Sequence, residues 1–547
     1  MVKLDSFKRP NAALLPLLAS AFIVSVYNQA FWKSFSSATG GLTLAAFPVQ
    51  AGMFLMLVLT FTASLATLNF RFSIKPLLIG LFLVTSLASY FMNHYGVAID
   101  WSMVQNIAET DSRESTELFN AGLGFSFLIT GVIPAAIIAW LKPRFQPGRR
   151  QLGVNLATAG IAVVGAGILL MLMFKILAPA LREHRELRFL LTPTNYIQAV
   201  NGYFKRKWSV PVVVAPLGRD ATKGVLWRGN TRRTVTVVVV GETARAANFS
   251  LNGYSRLTNP ELSQVPDLVN FKNMQSCGTA TGISLPCLFS PLGRENYSAS
   301  RAQSQEGLLD VLQHAGLKLL WRDNNSGCKG VCDRIPYEDV SQPIAGDPFC
   351  NNEECFDERL LRGLPQQIRD GTGDMVIVLH QKGSHGPAYS KRYPQQFSVF
   401  GPVCNTIELG KCTRQSIVDA YDNTIRYTDH VLKQAIDLLA QAARDDGVDT
   451  ALMYFSDHGE SLGENNFYLH GAPYVISPPE QRAVPFMLWL SAGFRERFKI
   501  DQRCLAARVD QPFSHDNLFH STLGMLNVST AVYNPRLDIF NACRHAP

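Results

Sequence analysis

The sequence predicts an α-helical membrane domain followed by a large α/β domain with a mostly parallel sheet. Five uncharged stretches lie within the first 174 residues, strand-like runs alternate with helical segments from residue 233 onward, and all ten cysteines lie beyond residue 276. Because disulfides form outside the cytoplasm, the cysteine-rich part is expected to face an oxidising compartment. The 547-residue chain is therefore divided into a transmembrane domain (1–174), a bridging segment (175–232) and a second domain (233–547).

Five predicted spans account for the first domain. A helix needs about 20 apolar residues to cross the hydrocarbon core of a bilayer, and a charge at its centre costs roughly 2.5–3.5 kcal/mol. Five consecutive charge-free runs therefore predict five transmembrane helices rather than buried helices of a soluble protein. The second run is too long for one helix, and its span is expected at about 44–69. The uncharged runs are residues 10–32, 34–70, 76–99, 118–141 and 151–174.

Loop charges predict the orientation of these spans. Basic residues lie before the first span and in the loops near 71–75 and 142–150, whereas the loop 100–117 holds five carboxylates against one arginine. By the positive-inside rule the N-terminus is cytoplasmic, and five spans place residue 175 onward on the opposite side. In the bridging segment, basic residues alternate with apolar ones, which favours interfacial helices; a solvated connector is the alternative. The net charge of +8 is not organised into a basic-aromatic stripe, so no nucleic-acid partner is expected.

The second domain alternates strand and helix patterns. The runs 234–240, 374–380 and 451–456 are rich in apolar and β-branched residues, as in strands buried on both faces. Helical segments are predicted at 306–315 and 416–443. Strands that alternate with helices favour a mostly parallel sheet with helices on both faces.

Candidate metal ligands stand at the ends of these strands. Glu242 comes directly after the first run, and Asp457 and His458 follow the third. Ligands of open α/β sheets bind beyond the carboxyl ends of the strands. Two carboxylates and an imidazole suit Zn²⁺ with one position left for substrate, so the sequence predicts a zinc site here. The alternative is a set of helix caps and surface carboxylates.

Thr281 is the candidate nucleophile. It lies in the segment S-C-G-T-A-T-G-I-S-L-P-C, a Gly/Thr-rich turn that is expected to open a helix, where backbone N–H groups favour an anion. A hydroxyl has too high a pKa to attack unaided, but metal coordination lowers that pKa. The alternative is a threonine that only caps the helix.

The chain resembles the phosphoethanolamine transferases of Gram-negative inner membranes over nearly its full length. It is most similar to the group that acts on lipid A and includes the mobile colistin-resistance enzymes. The resemblance implies a periplasmic catalytic domain with an alkaline-phosphatase/sulfatase-like fold behind five inner-membrane spans. The motifs that carry it include V-V-V-G-E-T-A-R-A-A-N-F-S-L-N-G-Y, D-N-N-S-G-C-K-G-V-C, H-Q-K-G-S-H-G-P-A-Y, F-S-D-H-G-E-S-L-G-E and S-H-D-N-L-F-H.

The resemblance also implies roles for individual residues. One tightly bound zinc ion is expected, a second is left open, and Thr281 would be both a ligand and the nucleophile. The zinc ligands would be Glu242, Thr281, Asp457 and His458. The residues that would hold the transferred phosphate and assist proton transfer are Lys329, His385 and His470. Those expected near the ethanolamine head group are Asn325 and Ser326. Those that match lipid-donor contacts in relatives are Asn106, Thr110 and Glu114.

The implied activity moves phosphoethanolamine from phosphatidylethanolamine to a phosphate of lipid A through a covalent phosphothreonine-type intermediate. The added ammonium would lower the negative charge of the outer surface and give resistance to polymyxin and other cationic peptides. The donor and acceptor both reside in a bilayer, and a monomer is expected. The first alternative is the same transfer to a core sugar, Kdo or another glycan. Others are a glycerol-phosphate transferase, a phosphatase and a catalytically inactive binding protein.

Two further expectations concern cysteines and sulfate esters. Close spacing favours four disulfides, 277–287, 328–332, 350–355 and 404–412, which leaves 504 with 543, although sequence alone leaves other connectivities open. A formylglycine sulfatase needs Cys/Ser-x-Pro-x-Arg, and the segment that begins at Cys277 has neither the proline nor the arginine. This argues against sulfate-ester hydrolysis. The motif residues His515, Asp516 and His520 are expected to form a structural hydrogen-bond network.

Overall fold

The chain folds into two compact units. A computed structural model describes residues 9–39, 41, 43–44, 46–97, 99, 101–109, 119–183, 187–207, 213–229, 231–351, 354–406, 409–464 and 467–544. One unit comprises Met1–Val104 and Leu118–Tyr203, and the other comprises Gln105–Glu117 and Phe204–Pro547.

The first unit is built from apolar helices. Among the described residues, four helices are long and apolar enough to cross a membrane, and a bent pair makes five if it counts as one span. The predicted number of five spans is reached when the bent pair is counted as one span. The four helices are Phe47–Thr67, Ile74–Tyr95, Ala121–Trp140 and Gly148–Phe174, the last being part of a helix that runs Gly148–Glu183. The bent pair is Leu14–Tyr27 and Gln29–Ala38, with 72° between the axes. Leu187–Leu190 is a shorter helix of this unit, and the helices Trp101–Glu109 and Thr194–Lys207 each include residues assigned to both units.

Asn28 explains the bend in the first span. Its amide nitrogen donates to the carbonyls of Ile23, at 2.9 Å, and Thr192, at 3.1 Å, while its oxygen accepts from the Thr192 N–H at 2.8 Å. Backbone groups freed at a helix break inside a membrane protein need such partners, because hydrocarbon offers none. The buried asparagine thus lets an otherwise apolar helix change direction.

An eight-stranded sheet forms the centre of the second unit, and it is mostly parallel, as predicted. Its strands are β1 Thr234–Gly241, β2 Val269–Gln275, β3 Lys318–Asp323, β4 Tyr337–Asp339, β5 Met375–His380, β6 Asp449–Ser456, β7 Ala483–Leu490 and β8 Phe513–Ser514. The order across the sheet is β8-β2-β7-β6-β1-β5-β3-β4, and only β7 runs antiparallel to its neighbours. Every residue of β1 and of β6 is buried, which explains their apolar, β-branched composition.

Helices cover the sheet, and disulfides close its loops. The predicted helices 306–315 and 416–443 are confirmed as Leu308–His314 and the 32-residue Arg414–Asp445. All five expected disulfides are present, and they leave no cysteine free. The other helices described in this unit are Thr281–Leu288, Gly293–Asn296, Ala299–Gln303, Leu364–Asp370, Ala492–Arg497, Gln502–Ala506 and Leu518–Met525.

Candidate active site

Two neighbouring strands at the middle of the sheet bring the predicted metal ligands together. Strands β1 and β6 are parallel, with Gly241 opposite Ser456, so the residues that follow each strand emerge side by side. Glu242 follows β1, and Asp457 and His458 follow β6. One ligand atom from each of these three side chains lies within 4.8 Å of the others, and all three side chains are buried. The alternative of surface carboxylates is therefore wrong.

Thr281 completes this cluster. Its hydroxyl oxygen lies 3.1 and 3.2 Å from the two carboxylate oxygens of Glu242 and 3.3 Å from Nε2 of His458. Thr281 is the first residue of the helix Thr281–Leu288, and Ala280 occupies the cap position. The hydroxyl thus points at the predicted ligands instead of capping its own helix, so the capping alternative is also wrong.

The surroundings of the three ligands suit a divalent cation. The Nδ1 atom of His458 donates to the Gly459 carbonyl at 2.9 Å, which directs Nε2 toward the carboxylates. In Asp457, Oδ1 accepts from the N–H of His458 at 2.7 Å, whereas the buried Oδ2 has no hydrogen bond among the described residues and lies 3.3 Å from Nε2 of His458. A divalent cation held by this group would satisfy the carboxylate oxygen that lacks a hydrogen bond. The donor set of carboxylate, carboxylate and imidazole fits zinc.

The charges of the cluster depend on one another. Burial, together with the Glu242 carboxylate, raises the pKa of Asp457 to about 6. Burial lowers the pKa of His458, but the carboxylates of Asp457 and Glu242 outweigh it and raise that pKa to about 10. Burial likewise raises the pKa of Glu242, and the His458 imidazole reverses this into a net decrease. Without a cation, protons supply the positive charge that the two carboxylates require, and a divalent ion would replace them.

Two further histidines border the cluster. The rings of His470 and His458 lie 4.4 Å apart, and those of His470 and His385 lie 5.5 Å apart. Nδ1 of His470 donates at 2.8 Å to the buried Glu460, which also accepts from the Tyr389 hydroxyl at 2.5 Å. Burial holds the pKa of His385 well below its ordinary value, so this imidazole is neutral. Glu460 therefore fixes His470, and Tyr389 fixes Glu460. Neither residue was identified from the sequence, where only the glutamate of the F-S-D-H-G-E motif could have indicated Glu460.

Lys329 and Ser326 lie at the wall of a cavity of about 560 Å³. Lys329 sits inside the loop closed by Cys328 and Cys332 and has a positive φ of 51°. Its ammonium donates to the carbonyl of Ser326 at 3.1 Å and to its hydroxyl at 3.2 Å. Gly282, next to Thr281, lines the same cavity. The cavity therefore extends from the neighbour of Thr281, the candidate nucleophile, to a lysine that can bind a phosphate.

Comparison with known proteins agrees with this geometry. A family model for phosphoethanolamine transferase EptA/EptB matches residues 55–208, and a sulfatase family model matches residues 234–528. The chain is 42% identical to phosphoethanolamine transferase EptA of Escherichia coli strain K12, over 98% of each protein. This chain belongs to the phosphoethanolamine transferase family.

Other relatives support this membership. The chain is 37% identical to the phosphatidylethanolamine transferase Mcr-2 of Escherichia coli, over 88% of this chain and 90% of that protein. The integral membrane lipooligosaccharide phosphoethanolamine transferase A of Neisseria meningitidis superimposes with a TM-score of 0.93 at 33% identity, covering 98% of this chain and all of that one. The expected fold, with apolar helices before a sulfatase-like α/β domain, is thereby confirmed.

Within this transferase site, Asn325 contacts a predicted metal ligand. Its amide nitrogen donates to Oε2 of Glu242 at 2.8 Å and to the carbonyl of Gln381 at 2.9 Å. Asp323 accepts from the N–H of Asn325 at 2.8 Å and also binds His380 at 2.9 Å. The sequence assigned Asn325 to the ethanolamine head group, and the geometry gives it a contact with Glu242 that the sequence did not indicate.

The S-H-D-N-L-F-H motif supports the loop that carries Thr281. His515 bonds to the Ser456 carbonyl through Nε2 at 3.1 Å and to the Cys277 N–H through Nδ1 at 3.2 Å. Asp516 accepts from the Arg294 N–H at 2.8 Å, and Nδ1 of His520 accepts from the Asn534 N–H at 3.1 Å. The expected structural network is thus observed.

The residues predicted to contact the lipid donor are described only in part. Asn106 is half-buried on the helix Trp101–Glu109 and belongs to the same compact unit as the catalytic cluster. Thr110 and Glu114 lie outside the described residues. The donor-binding role of all three stays a prediction.

Proposed function

We propose that this protein transfers phosphoethanolamine from phosphatidylethanolamine to a phosphate group of lipid A, with Thr281 as a covalent nucleophile and zinc as cofactor. The observation that carries this is the convergence of the Thr281 hydroxyl on Glu242 and His458, at 3.1–3.3 Å, in a chain of this transferase family. A hydroxyl held against a carboxylate–imidazole set is the arrangement that metal-activated phosphoryl transfer needs.

Zinc would be held by Glu242, Thr281, Asp457 and His458. When bound, it would lower the pKa of the Thr281 hydroxyl and neutralise charge on the attacking oxygen. The unsatisfied Oδ2 of Asp457 and the orientation of His458 by Gly459 support this assignment.

In the first half of the reaction, Thr281 Oγ1 attacks the phosphorus of phosphatidylethanolamine. The new bond joins Oγ1 to phosphorus, the ester bond to the glycerol oxygen breaks, and diacylglycerol leaves after gaining a proton. Lys329, with its ammonium beside Ser326, would stabilise charge on the transferred group. His470, fixed by Glu460, and the neutral His385 are placed to hold the phosphate and move the proton.

In the second half, a phosphate oxygen of lipid A attacks the phosphothreonine. The bond between phosphorus and Oγ1 breaks, and Thr281 recovers its hydroxyl. The ammonium of the new group would offset negative charge on the outer surface and weaken binding of polymyxin and similar cationic peptides. The apolar helices and the disulfides support a location in a Gram-negative inner membrane with the catalytic unit in the periplasm.

Mass spectrometry of lipid A from a Gram-negative host that expresses the protein tests this proposal. The wild type should add a phosphoethanolamine mass increment, Thr281→Ala should add none, and Thr281→Ser, which keeps a hydroxyl, should add a reduced amount. Polymyxin susceptibility should follow the same order. Full transfer by a zinc-loaded Thr281→Ala variant would contradict the assignment of Thr281 as the nucleophile. If the mass increment appeared on core sugars or Kdo while lipid A stayed unmodified, the acceptor would be a glycan and not lipid A.

A further inference from the structure

Two arginines flank one tyrosine ring beside the loop that carries Thr281. The guanidinium carbon of Arg294 lies 4.1 Å from the centre of the Tyr474 ring, and that of Arg482 lies 5.3 Å from it. Neither guanidinium has an ion pair or a hydrogen bond with any described residue, and Nε of Arg482 is buried without a partner. We refer to Arg294 and Arg482 as the arginine pair.

The arginine pair is attached to the nucleophile loop through Ser276. The Ser276 N–H donates to the Arg482 carbonyl at 2.8 Å, and the Tyr474 hydroxyl donates to the Ser276 carbonyl at 3.1 Å. Ser276 directly precedes the loop that the Cys277–Cys287 disulfide closes around Thr281.

A second attachment lies closer to the nucleophile. Thr279 accepts from the Gly471 N–H at 2.7 Å and donates its hydroxyl to the Ala472 carbonyl at 2.6 Å. Tyr474 is four residues after His470, a separation that the chain can span over at most about 14 Å. The bonds of Ser276 and Thr279 therefore join the segment that carries Tyr474 and Arg482 to the loop that carries Thr281.

The backbone that carries Arg294 is fixed although its side chain is exposed. Gly293 adopts a φ of +64°, which favours glycine, and the Arg294 N–H donates to Asp516 at 2.8 Å. Two guanidinium groups on one aromatic ring concentrate positive charge at this surface. Planar guanidinium groups are the usual ligands of phosphate, so this surface suits a phosphate group.

We propose that the arginine pair binds a phosphate group of the acceptor, while another phosphate of the same molecule attacks at Thr281. This inference rests on the proposed function and adds its acceptor specificity: lipid A that carries two phosphates is preferred over lipid A that carries one. The donor offers only the phosphate that is transferred, so the pair acts in the second half of the reaction. The head group of an anionic phospholipid is the other phosphate that the arginine pair could bind.

The test uses the full-length protein in neutral detergent with a fluorescent phosphatidylethanolamine donor. Diacylglycerol release measures the first half of the reaction, and transfer to bisphosphorylated and monophosphorylated lipid A measures the second. Arg294→Gln, and the same change combined with Arg482→Gln, are compared with Arg301→Gln. Arg301 is a matched control, because it is also an exposed arginine and its side chain hydrogen-bonds to the Asn296 carbonyl, at 2.9 Å. Zinc content and thermal unfolding verify that each variant is folded.

The wild type should prefer the bisphosphorylated acceptor, and the double variant should raise KM for it by about tenfold or more, a change worth about 1.4 kcal/mol. KM for the monophosphorylated acceptor should change much less, so the preference disappears. Arg294→Gln alone should produce part of this increase in KM. Because Arg294 is exposed, this single variant should fold and keeps the test valid if the double variant does not. Arg301→Gln should leave both KM values unchanged.

Three results would overturn the inference. One is an unchanged acceptor preference in folded variants, and another is an equal loss with both acceptors. The third is a difference between wild type and variants that arises only when phosphatidylglycerol is added, since this would assign the pair to anionic phospholipid. A wild type that releases diacylglycerol but modifies neither lipid A would instead refute the proposed acceptor, which distinguishes the two failures.

Discussion

Asn325→Ala should weaken zinc binding without unfolding the protein. The Asn325 amide donates to Oε2 of Glu242 at 2.8 Å, and Glu242 is fully buried. Loss of a hydrogen bond to a buried carboxylate costs about 1.5–3 kcal/mol. Because the pKa of Glu242 is lowered even without zinc, its carboxylate is ionised in both states, and only the part of this cost that comes from lost orientation of the carboxylate falls on zinc binding. We therefore expect zinc affinity to fall by roughly 10–100-fold, the usual effect of removing a group that orients a metal ligand.

Competition with a fluorescent zinc chelator measures this change directly on the purified protein. Asn324→Ala is the matched control, since the neighbouring side chain donates to the Cys355 carbonyl and to Asp357 rather than to Glu242. The control should lower thermal stability but leave zinc affinity within about twofold of wild type, well below the change expected for a ligand-orienting group. Equal zinc affinities for Asn325→Ala and wild type would refute the reasoning, as would an equal loss in both variants.

Three other predictions follow from the same geometry. Because the pKa of Asp457 is raised to about 6, a proton competes with zinc at lower pH; apparent zinc affinity should fall as pH drops from 7 to 5, as chelator titration would measure. Replacing Cys277 and Cys287 by serine opens a ten-residue loop and should lower stability by roughly 3 kcal/mol in denaturant unfolding. Gly383→Ala should reduce bound zinc in metal analysis, because the added Cβ would lie 2.6 Å from the main-chain oxygen of Glu242, at a φ of +54°.

The sequence predicted those parts of the fold that depend on local pattern. Charge-free runs locate the apolar helices, and the continuous β-branched run of β1 marks a strand buried on both faces. The grouping of the candidate metal ligands followed because parallel strands end at one edge of a sheet, which places Glu242 beside Asp457. The bend in the first span was not predicted, because it depends on a hydrogen bond between Asn28 and Thr192, 164 residues apart.

The groups that orient the ligands could not be predicted for the same reason. Asn325 reaches Glu242 across 83 residues, and Tyr389 reaches Glu460 across 71. No periodicity or spacing marks such pairs, since each partner is an ordinary polar residue in its own segment. The arginine pair was also missed, because its members become neighbours only through Tyr474.

His515 shows why a buried histidine near a catalytic cluster need not carry a proton. Burial lowers its pKa to about 3, so the imidazole is neutral at every pH at which the site would work. Nδ1 accepts from the Cys277 N–H, and Nε2 donates to the Ser456 carbonyl, which leaves neither nitrogen for a substrate. These two bonds join the loop that carries Thr281 to the strand that precedes Asp457. The motif histidine therefore holds the position of Thr281 relative to the candidate metal ligands, a structural role rather than one in proton transfer.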